Sequence, residues 1–188
     1  MLMLMRMIIG IIIGSICSLA TLVHAGDTSG NAGVYQQPEH YVAEVFERPP
    51  SVEALWPSPE LRQQLKQVLG HAPSLRFRYW GANGKTVWIL DEIGKDRPIT
   101  AGFVVNQGRL EDVRVLVFRE SRGWEIKHGF FTRQFADLWL STGDRLSGPI
   151  DNITGATLSV KAMTRMATAA LLLHEHSSQN AATLANAR

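Results

Sequence analysis

The chain has 188 residues, 45% of them hydrophobic, and a formal net charge of +2. That is enough apolar material for one domain with a real core. The near-balanced charge, with no concentrated basic cluster, argues against a nucleic-acid binder.

At the N-terminus Arg6 precedes an apolar run from Ile8 to Val23, and Val23-His24-Ala25 puts small residues ahead of Gly26. Residues 1–25 therefore read as a secretory signal peptide, which places the mature chain in the periplasm. An uncleaved inner-membrane anchor is the alternative, although the run is short for a span. The single Cys17 would leave with the peptide. A chain without cysteine can build no disulfide, iron–sulfur cluster, thiolate metal site or c-type haem attachment, so redox chemistry would need another cofactor.

Residues 26–57 read as a flexible leader to about Gln37, followed by a Pro-rich segment that wraps the domain in extended form. The main domain then spans 58–176. Ser58 as N-cap, Pro59 in the first turn, one apolar face of Leu61, Leu65, Val68 and Leu69, and Gly70 as stop predict a helix over 59–69. From Leu75 the period becomes two. Leu75, Phe77 and Tyr79 alternate with Arg76, Arg78 and Trp80, Gly81 to Gly84 turns the chain, and Lys85 to Asp91 returns as a strand. A second pair, Thr100 to Val105 and Leu110 to Phe118, flanks Asn106-Gln107-Gly108. Strict alternation puts Val113, Val115 and Val117 on one face and Arg114, Leu116 and Phe118 on the other. The expected class is α+β, with an antiparallel sheet of about four strands flanked by helices. There is no internal repeat, GxGxxG or Walker loop, which disfavours a Rossmann fold.

After the last strand come Glu120-Ser121-Arg122-Gly123-Trp124 and one or two helical turns across Phe130 to Phe135. Residues 137–149 are a Gly/Pro-punctuated connection. Asp151-Asn152-Ile153-Thr154-Gly155-Ala156-Thr157-Leu158-Ser159 follows and opens a helix marked by Val160, Met163, Met166, Ala167, Ala170, Leu171 and His174. The hydroxyls of Thr154, Thr157 and Ser159 would sit at a helix start, where free N–H groups suit a phosphate, and Gly155 with Ala156 leaves the backbone approachable. On spacing alone, Thr157 reads first as an ordinary N-cap. His40, His71 and His128 are isolated. His174 and His176 near the helix end read as capping residues rather than metal ligands, and 177–188 as a frayed tail.

The motif Asp151-x-Ile153-Thr154-Gly155-Ala156-Thr157-x-Ser159 resembles the flavinylation motif of the FMN-binding domain family, found also in the C subunit of sodium-pumping NADH:quinone oxidoreductase and the G subunit of the Rnf complex. The resemblance runs back through Tyr79 to Phe131. It implies that a flavin transferase, using FAD, attaches FMN through its phosphate to the hydroxyl of Thr157. Asp151, Thr154, Gly155, Ala156 and Ser159 fill the other motif places. It also implies that the segment after the last strand lies near the flavin. Trp124 and Phe131 could then pack on the isoalloxazine ring, and Glu120 or Arg122 could face its polar edge. Core packing is the alternative for the aromatic residues. The function expected is a periplasmic electron carrier with covalent FMN, serving a membrane or periplasmic redox partner. The alternatives are a secreted binding or accessory domain without flavin, and a flavin-dependent reductase with its own substrate.

Overall fold

Two tight reversals organise the sheet of the computed structural model, which describes residues 33–142 and 144–186. Asn83-Gly84 and Gln107-Gly108 all have positive φ, between 49° and 77°. That is the backbone of two-residue hairpin turns whose twist matches the flanking strands. They join β3 (Phe77–Ala82) to β4 (Lys85–Ile93) and β5 (Pro98–Asn106) to β6 (Arg109–Phe118). With β1 (Gly33–Val34) and β2 (Val52–Leu55) at the edges, the order is β1-β6-β5-β4-β3-β2, every pair antiparallel. The class is α+β as expected, but the sheet has six strands rather than about four. A small separate hairpin, β7 (Leu140–Ser141) with β8 (Arg145–Leu146), sits in the connection before the motif. The edge strands escape the sequence pattern because a two-residue strand and a strand flanked by prolines carry too little alternation to read.

The 26–57 segment is more structured than its composition suggests. Pro38–Val45 forms helix α1, which lies on one face of the sheet with Tyr41 and Val42 buried. Tyr41 occupies the space left by Gly102, where an added Cβ would stand 2.2 Å from the ring. Its hydroxyl donates to Asp112 Oδ2 at 3.0 Å. The opposite face carries the larger core. Helix α2 (Pro59–Leu69) has the expected bounds, with Ser58 Oγ accepting from Leu61 N and Gly70 left-handed at φ 80°. It buries Leu61 and Leu65 beside the long helix α4 (Thr157–Asn186), whose apolar stripe covers Trp88, Phe103, Val105 and Val115 of the sheet. The helix continues through residues expected to fray from Ser177 onward, and Ser177 is itself buried.

Strict alternation along β6 fails at two places: between the pairs Val105–Leu110 and Val104–Asp112, which leave Glu111 extra, and again further along the strand. Thr100 pairs with Val117 and Ala101 with Val115, so Leu116 is an extra residue in a bulge. Leu116 and Val117 therefore both face α1, and Phe118 returns to the α4 side with Val113 and Val115. The expected partners of Val117 and Phe118 are thus exchanged. The signal-peptide or anchor reading of residues 1–25, Cys17 included, lies outside the described residues.

Candidate functional site

The motif loop is a turn resting on the core. Ile153 packs against the α4 side of the sheet, and its carbonyl accepts from Ala156 N at 2.9 Å, with Gly155 at φ 86° in the turn. Only glycine takes that conformation at little cost, and nothing lies within 4 Å of where its Cβ would be, so the backbone here is open. Gln134 Oε1 accepts from Asp151 N at 2.7 Å and ties the loop to the segment after α3 (Gly129–Thr132).

Thr157 is not the N-cap. Val160 N donates to Ala156 O, so Ala156, with only a methyl group, holds the capping position and Thr157 is the first helical residue. Its side chain is exposed, and Asn152 Nδ2 donates to Oγ1 at 2.9 Å. Among the described residues no side chain accepts from the N–H groups of Thr157, Leu158 or Ser159. These donors and the helix dipole are what an oxyanion would meet there. Asp151 and Thr154 are exposed, Leu158 is 45% exposed, and Ser159 and Ala156 are buried.

The buried pair meets the segment after β6. Gly123, at φ 86°, lies so close that an added Cβ would stand 2.6 Å from Ser159 Oγ and 3.3 Å from Ala156 Cβ. The motif and the Arg122-Gly123-Trp124 turn are therefore neighbours. Arg122 is exposed, and Trp124 is half-buried with its ring edge-on to His128 at 5.3 Å.

Two expected flavin contacts are placed differently. Phe131 is fully buried and packs edge-on to Phe135 at 5.4 Å, which is core packing. Glu120 is 4% exposed, and its Oε1 accepts from the backbone N–H groups of Lys95, Asp96 and Arg97 at 2.5, 2.7 and 2.9 Å. Burial pushes this carboxyl up, but the three amide donors outweigh it and hold it below the usual carboxylate range. It closes the β4–β5 loop instead of facing a cofactor.

Three residues that shape this site carried no functional expectation. Asn152 sits at a variable place of the motif, so only its proximity could have flagged it. Gly123 could have been suspected from a glycine between two bulky residues. Gln134 gives no signal in sequence, because its partner is a backbone amide seventeen residues away.

Beside the loop, a cavity of about 350 Å³ opens between Gly148–Ile150 and α4, walled by Val68, Leu146, Pro149, Thr164 and Arg165 among others. Arg165 is bound to the buried Glu92 at 3.0 Å. The hydroxyl of Thr164 donates to Val160 O.

The family model described as the FMN-binding domain matches residues 94–172, from the β4–β5 loop into α4. This stretch belongs to the FMN-binding domain family. Compared with curated proteins and with solved structures, the chain finds no match. The matched segment contains β5, β6, the Gly123 turn and the whole motif. The partners that complete its sheet and cover its helix, from β1 through β4 and including α2, come from the chain before it. The FMN-binding domain's own donor set fits the phosphate end of that cofactor: an exposed hydroxyl, unshared amide donors, and an open glycine turn.

Proposed function

We propose that this protein is a periplasmic flavoprotein electron carrier with FMN joined by a phosphoester bond to Thr157. The observation that carries the reading is the exposed Thr157 hydroxyl in the first turn of α4, inside the motif and beside unshared amide donors. In the attachment step, supplied by a flavin transferase, Thr157 Oγ1 forms a bond to the FMN phosphorus of FAD. The pyrophosphate P–O bond breaks, and AMP leaves. Asn152 positions Oγ1 by donating to it, which leaves the hydroxyl proton free to depart. The amide donors then face the phosphate charge. Trp124 and Arg122 offer a ring face and a cation to the rest of the cofactor. The bound flavin supplies one- or two-electron chemistry, and the protein supplies position and electrostatics. Asp151, exposed at the loop's start, is the residue offered to the transferase.

The test is the intact mass of the chain purified from a periplasm after co-expression with a flavin transferase, beside a Thr157→Ala control. A gain equal to FMN less one water, with yellow colour, in the parent alone is expected. An unmodified parent, while the transferase labels another target, would overturn the covalent carrier and leave the accessory-domain reading in front. The cavity next to the motif favours one other reading, a reductase with its own small substrate. Steady turnover of a small electron acceptor that saturates, and is weakened by Ile150→Trp, would support it.

A further inference from the structure

The first described residues and the segment after β6 meet at one edge of the sheet. β1 is an edge strand, with Gly33 opposite Phe118 and Val34 opposite Val117. The Lys127 ammonium lies 4.3 Å from the Tyr35 ring centre and 5.2 Å from that of Trp124. Trp124 meets His128 edge-on, and His128 stacks on Phe130 at 6.1 Å. The outer parts of this row stay in water: Val34 is 57% and Phe130 56% exposed. Arg122 and Arg133 are exposed in the same segment. Of its two acids, Glu120 is consumed by the β4–β5 loop and Glu125 is half-buried. The face is aromatic and positively charged.

We propose that this face rests on an anionic lipid surface and carries the adjoining flavinylation motif to it. Amphipathic rings with interspersed cations are the composition that settles at a headgroup layer, the rings at the apolar boundary and the cations against lipid charge. The chain enters the domain at this same edge. The apolar run Ile8 to Val23 is separated from β1 by the nine residues 24–32, which reach at most roughly 30 Å when extended. If that run stays in the membrane, the edge at Val34 and Tyr35 is tethered close to the bilayer. Gly123, against Ala156 and Ser159, puts the motif beside this edge. An acidic protein would answer the cations equally well; lipid is favoured for the anchored form of the chain, in which the apolar run keeps a bilayer within reach of this edge. Among the described residues no helix is long and apolar enough to cross a membrane, so contact here means lying on the surface.

The proposal is tested without flavin, because Trp124 and Arg122 are the residues offered to the cofactor and no cofactor lies on them in a chain with Thr157 unmodified. The test is amide hydrogen exchange on the full-length chain, as parent and as Thr157→Ala. Each is mixed with phosphatidylcholine vesicles, with vesicles one-third phosphatidylglycerol, or with an acidic flavodoxin as a soluble protein probe. Protection of residues 33–35 and 122–133 by the anionic vesicles is expected in both chains. Lys127→Glu should weaken that binding roughly tenfold or more, with its circular dichroism unchanged. Absence of protection there, or protection by the flavodoxin but by neither vesicle, would overturn the proposal, and neither result bears on whether Thr157 takes up flavin.

Discussion

At the start of α4, Thr157 keeps its hydroxyl in water and the neighbouring amide groups have no acceptor among the described residues. Further along the same helix, His174 is buried and bonded at both ring nitrogens. Gly108 N donates to Nε2 at 3.2 Å, and Nδ1 lies 2.7 Å from Thr86 Oγ1. Thr86 Oγ1 also accepts from Trp88 Nε1 at 2.8 Å. Because an amide can only donate, Nε2 must be the bare nitrogen and Nδ1 must carry the proton, so the neutral tautomer is fixed. The two sites show what polar residues on one amphipathic helix can be for. A group whose bonds are closed internally holds the fold, and a group left open is available to something outside it.

The sharpest way to break that comparison is His174→Ala. It strips partners from Gly108 N–H and Thr86 and leaves a hole in the core, which should cost about 2–4 kcal/mol. Denaturant unfolding measures it. A cost near zero would mean that the buried end of α4 is no more committed than the exposed one.

Next in size is Gly123→Ala. The added methyl would overlap Ser159 Oγ, and the positive φ strains any side chain, so destabilisation of about 1–3 kcal/mol is expected. Flavin attachment should fall with it, since the turn braces the motif. Full stability with normal labelling would show that the turn and the motif are not coupled.

How much of this was legible in the sequence differs between the two ends. The exposed end was readable because its residues are few, contiguous and specific: Thr154 to Thr157 mark the helix start and the candidate hydroxyl together. The N-cap alternative for Thr157 could not be settled from spacing, since the cap depends on which carbonyl Val160 N reaches, and that turned out to be Ala156. The buried end was read in part, since the periodicity puts His174 on the apolar stripe and it is buried there. His174 looked like a residue closing a helix because the polar tail after it suggested an end, yet the helix runs on to Asn186. Its partners, Thr86 and Gly108, are distant in sequence, and no periodicity reveals them. Glu120 and Phe131 illustrate the same blindness, since a carboxylate that clamps a loop and a phenyl ring in the core look, as letters, like cofactor contacts. In the sheet, the bulge at Leu116 shifts two residues across faces without leaving a mark on the alternation.

A smaller effect comes from pH. Burial lowers the His174 pKa below its ordinary value, so the unfolded chain takes up this proton before the folded one does. Stability should therefore fall as pH drops below roughly 6.5, by at most about 1.4 kcal/mol per pH unit. His71 works the other way. Its Nε2 lies 2.9 Å from Glu92, and that bond, ahead of the Ala72 carbonyl, raises its pKa. Its contribution is complete below roughly 6.5 and is lost as pH rises through the folded value. Unfolding should accordingly be followed in a His71→Gln background. There the decline between roughly pH 6.5 and pH 5, above the range in which Glu120 and the other carboxylates take up protons, should be plain, and it should vanish when His174→Gln is added. A slope that survives would assign the titration to another group.

The smallest change in stability is expected where the comparison predicts idleness. Thr157→Ala and Asn152→Ala each remove an exposed group from one 2.9 Å hydrogen bond, so each should alter the unfolding free energy by no more than about 0.5 kcal/mol. Their effects on labelling should nonetheless differ. Thr157→Ala should abolish attachment outright, whereas Asn152→Ala would keep the nucleophile but release its orientation, and should slow labelling severalfold without lowering its final extent. Time courses of flavin incorporation, followed by in-gel fluorescence, separate the two. If Asn152→Ala instead labels at the parental rate, the hydrogen bond seen in the free protein plays no part when the transferase engages the loop. The open end of α4 would then be prepared for the reaction by its backbone alone.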